Sequence, residues 1–189
     1  MMSDSDAPRT ARVVVGVSGS LGSHTALYLA AAEARRRGAE LWPVLAWEPP
    51  GGELAANRTA ATSPSALDWR RLARERLLTA LDDVFGAAGP GVQLHALVAC
   101  GAPGRALVGI ADRENDVLVV GAGRRGGLRR ALRRSVSRYC LAHAACPVLA
   151  VPPSPLEAEL TAVHRRNAWR LRLDTRDLGD AAKTVPPDA

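Results

Sequence analysis

The sequence predicts an α/β protein built on a parallel sheet with helices on both faces. Three observations carry this. The apolar runs Arg12–Val17 (RVVVGV) and Asp116–Gly121 (DVLVVG) lack polar alternation, as expected of strands buried on both faces. Such runs alternate with helix-like segments, the pattern of repeated strand–helix–strand units. Finally, Asp116–Gly121 leads through a glycine-rich loop into a helix and then directly into another apolar run, Pro147–Val151.

Each element has its own signal. Arg12–Val17 is the first strand, and SGSLGS (18–23) is the turn behind it, with Ser23 the expected N-cap of a helix running to Arg37. Gly38 closes that helix. Glu40–Trp47 forms the second strand, and 49–64 is a loop rich in Pro, Gly, Ala and Thr. Ala66–Ala88 reads as a long amphipathic helix, with Leu67, Leu72, Leu77, Leu78, Leu81 and Phe85 near helical spacing. Val92–Ala99 is the third strand, Pro103–Arg113 a helix, and Asp116–Gly121 the fourth strand. A helix from Ser135 to Ala144 and the strand Pro147–Val151 complete the series.

Composition bounds the rest. The 189 residues leave room for one domain with tails: a disordered leader (1–10), a domain (11–153), and a partly helical appendage (154–189) with an amphipathic stretch at Leu156–Arg172. Apolar residues make up 47% of the chain but aromatics only 4%, so the core must be packed from Ala, Val and Leu. A net charge of +6 favours anionic ligands, although the arginines are spread over helices that also carry acids. The three cysteines (100, 140, 146) lack metal or disulfide spacing and read as buried small hydrophobes in a reducing cytoplasm. The polar, acidic opening is unlike a signal peptide, and no apolar run approaches the ~20 residues that span a bilayer. A cytoplasmic protein without membrane contact is expected.

The glycine loop carries the chemistry. In an open α/β sheet it sits at the carboxyl ends of the strands, where small ligands dock. Bare glycine backbone admits a phosphate, and Ser135 adds a hydroxyl at a helix N-terminus. Six arginines (124, 125, 129, 130, 133, 134) follow; they form either an anion clamp or a solvated loop. No aromatic platform accompanies them, so nucleic acid is not an expected partner. GAGRRG (121–126) matches a dinucleotide fingerprint but follows the wrong strand and lacks the downstream acid that holds a ribose. SGSLGS lacks the second glycine and aspartate of a pyrophosphate loop. His24, His95, His143 and His164 form no catalytic or metal-ligating pattern and read as surface or cap residues. Cys146 and Trp42 read as packing.

Three segments together, VVVGVSGSLGS (13–23), CGAPGRAL (100–107) and VLVVGAGRRGGLRRALRRSVS (117–137) with CPVLAVP (146–152), resemble the universal stress protein family in its single-domain form. The resemblance implies five parallel strands in the order 3-2-1-4-5 and a homodimer paired through the edge strand Pro147–Val151. It also implies an adenine-nucleotide site, for ATP, built from Val17, Ser18, Gly19, Ala46, Val120, Gly121, Gly123, Arg124, Arg134, Ser135, Val136 and Ser137. Within that motif glycine is replaced at Arg124 and Arg134, and the aspartate ending the first strand is Ser18. A serine offers a single hydroxyl where a carboxylate would accept twice. The expected function is therefore a non-catalytic regulatory protein with a degenerate nucleotide or anion site. The alternatives are a dimer acting through protein partners without nucleotide, and a slow ATP hydrolase.

Overall fold

The computed structural model describes residues 10–48, 64–122 and 135–152. Five strands, β1 (Arg12–Gly16), β2 (Glu40–Trp47), β3 (Leu97–Cys100), β4 (Val117–Gly121) and β5 (Val148–Val151), form one parallel sheet in the order β3-β2-β1-β4-β5. This is the order that the family resemblance implied. The helices among the described residues are α1 (Leu21–Arg37), α2 (Pro64–Phe85), α3 (Pro103–Ile110) and α4 (Val136–His143), with a 3₁₀ turn at Gly86–Ala88.

The sheet divides the core in two. Val13, Val15, Val117 and Val119 point to the α1 and α2 side, while Val14, Leu118 and Val120 point to the α3 and α4 side. This is the period-two alternation of a strand. Against the first face α1 sets Ala26, Leu27, Ala30, Ala31 and Ala34, all fully buried. On α2 the buried stripe is Ala66, Ala73, Leu77, Ala80 and Leu81, whereas Leu67, Leu72 and Leu78, expected inside, are exposed. The stripe that faces the sheet is thus largely alanine, and a reading that weighted leucine chose a face partly turned to solvent.

Several boundaries differ from expectation for identifiable reasons. Ser20, not Ser23, caps α1: its backbone is extended and its hydroxyl accepts from the Ser23 N–H. Ser23 returns the favour from the third helical position, accepting from the Ser20 N–H at 3.1 Å. The third strand does not extend unbroken from Val92 to Ala99. It touches β2 once, at Leu94 opposite Leu41, and the ladder resumes only at Leu97. Leu41 N–H donates to Gln93 O and His95 N–H to Leu41 O, so the next donor in register would be residue 43. Pro43 has no N–H to give, and the ladder breaks there. Helix α3 ends at Ile110 rather than Arg113, because the Asp116 carboxylate takes the Arg113 N–H and turns the chain toward β4.

The amino ends of β1 and β4 hold a buried ion pair. Register places Val13 beside Val117, and so Arg12 beside Asp116. Arg12 Nε donates to Asp116 Oδ1 at 2.9 Å and Nη2 to Oδ2 at 2.5 Å, with further bonds from Nη2 to Asp112 Oδ1 and the Ile110 carbonyl. The Asp116 carboxylate, followed by Asp112, raises the Arg12 pKa against the opposing effect of burial. Reciprocally, the guanidinium holds the Asp112 carboxyl below its ordinary range. The guanidinium also stands 4.8 Å from the centre of the Trp42 ring, whose Nε1 donates to Glu40. His95 leans on the other partners, 5.2 Å from Trp42 and with Nε2 3.6 Å from Glu40 Oε2.

Candidate functional site

Connections leave β1 toward β2 on one side and pass to β4 on the other, so the crevice of the sheet opens between the carboxyl ends of β1 and β4. The turn after β1 begins with Val17, buried, whose N–H donates to Val44 O at 2.9 Å. Ser18 and Gly19 follow, both exposed, with Ser18 Oγ 3.1 Å from Ser20 Oγ. Gly19 has φ +73°, a left-handed conformation that side chains other than glycine adopt at a cost.

Across the crevice β4 ends in buried Val120 and half-buried Gly121. A Cβ added to Gly121 would lie 3.6 Å from the Gly22 carbonyl oxygen, an ordinary contact. Gly121 is not among the residues of positive φ. Neither packing nor backbone conformation therefore demands glycine at 121, and what its missing side chain leaves is uncovered main chain at the mouth of the crevice. Ser135 caps α4 with extended backbone, and its Oγ is 2.9 Å from that of Ser137, which is buried beneath it. Val136 packs partly into the α3–α4 core. Ala46 lies near the carboxyl end of β2, paired with Ala99 of β3.

The structure thus brings Ser18, Gly19 and Gly121 to one end of adjacent strands, with Ala46 near the end of the neighbouring strand and Ser135 and Ser137 at the head of α4. Val17 and Val120 are core residues that fix the strand ends. Gly123, Arg124, Arg134 and the other loop arginines lie outside the described residues, as does the appendage. A cleft of about 390 Å³, with Ser18 and Gly19 in its wall, continues from this turn between α1 and α2. It was not legible in the sequence, where this segment read only as a long amphipathic helix.

The remaining candidates fall as follows. Among the described residues no group of three or more His, Cys, Asp or Glu side chains is placed to hold a metal. Also among them, no helix is long and apolar enough to cross a membrane. Cys140 and Cys146 are buried as expected, and burial raises both thiol pKa values. Cys100 is exposed, contrary to expectation, because it ends the edge strand β3. His143 closes α4, stacked on Tyr139 at 4.1 Å.

A parallel sheet whose crevice opens between the carboxyl ends of β1 and β4 defines an open α/β fold, a class in which ligands commonly dock at the strand ends. Comparison with known proteins narrows the class. The model of the universal stress protein family matches residues 10–152, and the chain belongs to that family. A universal stress protein of Mycobacterium tuberculosis is 33% identical over 144 residues, covering 75% of this chain and 45% of the relative. The chain thus spans about half the length of the curated relatives it matches. A universal stress protein solved in complex with cAMP is 26% identical, with a TM-score of 0.51 over 77% of this chain and 98% of that one. One from Archaeoglobus fulgidus in complex with dAMP is 25% identical, with a TM-score of 0.50 over 75% and 97%.

Proposed function

We propose that this chain is a non-enzymatic stress-response regulator that holds an adenine nucleotide, or another multivalent anion, in a weakened site at the carboxyl ends of β1 and β4. The observation that carries this is Gly121: the fold has room for a side chain there, and its omission bares backbone where a phosphate would approach. The complexes of related proteins with cAMP and dAMP support an adenine nucleotide as the ligand class. Weakness follows from Ser18, whose single hydroxyl stands where a carboxylate would accept twice, and from Arg124 and Arg134 in place of glycine. The non-catalytic character rests on the described crevice residues, which offer hydroxyls and main chain. The same reading places the protein in the cytoplasm, where its three free thiols stay reduced.

Calorimetric titration with ATP, ADP and cAMP tests this. Wild type should bind weakly, with affinity falling as salt rises. Arg124→Gly/Arg134→Gly combined with Ser18→Asp should bind ATP at least roughly tenfold tighter, a gain of about 1.4 kcal/mol. Submicromolar binding by wild type with no gain in the variant would refute a weakened site.

A second reading has its own observation. Strand β5 is a sheet edge whose Leu149 is 43% exposed. An apolar edge with unpaired main chain invites a partner strand. We propose that Pro147–Val151 joins two copies of the chain in a homodimer, an assembly able to act through protein partners with or without nucleotide.

A further inference from the structure

The sheet has a second free edge, and it is built unlike that of β5. Strand β3 pairs with β2 on one side, and among the described residues no strand lies on the other. His95 N–H donates to Leu41 O and Gly101 N–H to Trp47 O, so the odd-numbered residues of this stretch turn their main chain toward β2. The N–H and C=O groups of Val98 and Cys100 therefore point outward and unpaired. Cys100 is exposed, and half-buried Val98 packs on the core beneath α2.

One flank of α2 overhangs this edge. Arg76, Ala80 and Asp83, which line the cleft, mark the flank that faces α1. Leu67, Arg71, Arg74 and Leu78 recur at helical spacing on the opposite flank. Because α1 covers β1 and β4 while α2 covers β2 and β3, that opposite flank lies over the outer strand. Leu67 is 51% exposed and Leu78 44%. Between them stand the two arginines: Arg71 has a long, exposed contact of 3.7 Å to Asp68, and Arg74 has no acid partner among the described residues. The nearest acid below them, Asp82, lies one turn beyond Leu78. The flank thus reads apolar, basic, apolar over about 16 Å of helix, a length that an extended chain covers in about five residues.

A free strand edge takes up an extended segment through main-chain hydrogen bonds, and the surface beside the edge selects among segments by their alternate side chains. Here the side chains turned toward α2 must be apolar at the ends, to cover Leu67 and Leu78. Between them an acid answers the guanidinium groups of Arg71 and Arg74. We propose that β3 and the Leu67–Leu78 flank of α2 take up an extended segment of a partner protein in which an acidic residue lies between two apolar ones at alternate positions. This surface is independent of the nucleotide crevice.

The probe is a capped heptapeptide, Thr-Val-Thr-Glu-Thr-Val-Thr, titrated into the full chain by calorimetry. Alkylation of Cys100, read by mass spectrometry, reports where it sits. The peptide should bind wild type and slow that alkylation, because an added strand lies against Cys100. The same peptide with lysine in place of glutamate should bind at least roughly tenfold more weakly. Arg71→Glu/Arg74→Glu, at two exposed positions, should keep the wild-type melting temperature and reverse the preference between the two peptides. N-methylation of one alternate set of peptide residues should abolish binding, and of the other set spare it, since only one set turns its N–H to the edge.

Absence of binding by the glutamate peptide at millimolar concentration, or binding that leaves Cys100 alkylation unchanged, overturns the proposal. So does a preference for glutamate that survives the charge reversal, or equal tolerance of both methylation patterns. If sedimentation shows that Arg71→Glu/Arg74→Glu lowers the oligomeric state, the occupant is a second copy of this chain and the partner assigned here is wrong.

Discussion

Substituting Arg12 by alanine should be among the most damaging single changes in this chain, although Arg12 lies far from the crevice. Its side chain is 6% exposed and that of Asp116 is fully buried. Truncation leaves the Asp116 carboxylate with the Arg113 N–H as its remaining described partner. It also strips the Ile110 carbonyl of a donor and the Trp42 ring of its cation. Breaking one side of such a buried pair costs about 3–5 kcal/mol. With a urea dependence of about 2 kcal/mol per molar, the unfolding midpoint should fall by about 1.5–2.5 M. Arg12→Met/Asp116→Leu should be less damaging than Arg12→Ala alone, because no unpaired charge remains buried. A second readout is the Asp112 carboxyl, which Arg12 holds low. A group whose folded pKa is depressed contributes stability that is present above its unfolded value and lost as pH falls through the folded one. In Arg12→Ala, Asp112 should titrate closer to an ordinary carboxylate by NMR. A midpoint shift below about 0.5 M, corresponding to about 1 kcal/mol, would refute the role assigned to the pair. So would a double variant worse than the single one.

Three further outcomes follow. Gly104→Ala should cost about 1–3 kcal/mol, since its Cβ would stand 2.8 Å from Tyr139 Cδ1 where α3 and α4 meet, and Tyr139→Leu should recover part of the loss in thermal unfolding. A thiol-titrating reagent near neutral pH should modify one cysteine per native chain, Cys100, and three after unfolding; burial slows Cys140 and Cys146 and their raised pKa values deplete the thiolate. Val148→Pro should yield monomers in sedimentation: Leu118 N–H donates to Pro147 O and Ala122 N–H to Val151 O, so the Val148 N–H points to the free edge and its loss spares the β4 ladder. An unchanged dimer would place the interface elsewhere.

The strands were legible because burial on both faces removes the polar residues that would blur them. RVVVG and VLVVG admit few other readings. What escaped the sequence were effects that depend on a neighbour. The break in the third strand is caused by Pro43, 51 residues before Leu94, and becomes visible only once the register of β2 is known. The Arg12–Asp116 pair had a signal of its own, one charged residue heading each of two apolar runs, but its meaning required knowing that those runs are adjacent. The inward face of α2 was misjudged because leucine spacing was weighed more than alanine, the residue that lets a helix lie close to a sheet. At the crevice, Gly121 and Ser135 were singled out by strand–turn–helix patterning and Ser18 by the family resemblance, and the structure places Ser18 and Gly121 at the carboxyl ends of adjacent strands.

The distance between the two polar ends of β1 and β4 has a consequence for how this chain can change. Asp116 and Arg12 anchor the strands at their amino ends, while Ser18, Gly19 and Gly121 sit at the opposite ends with no part in that anchoring. Substitutions at Ser18 and Gly121 can therefore accumulate without eroding the fold, whereas Gly19 is held by its left-handed backbone. Relaxed selection on a ligand would let glycines and carboxylates drift there first, leaving an intact scaffold whose mouth is open to new chemistry.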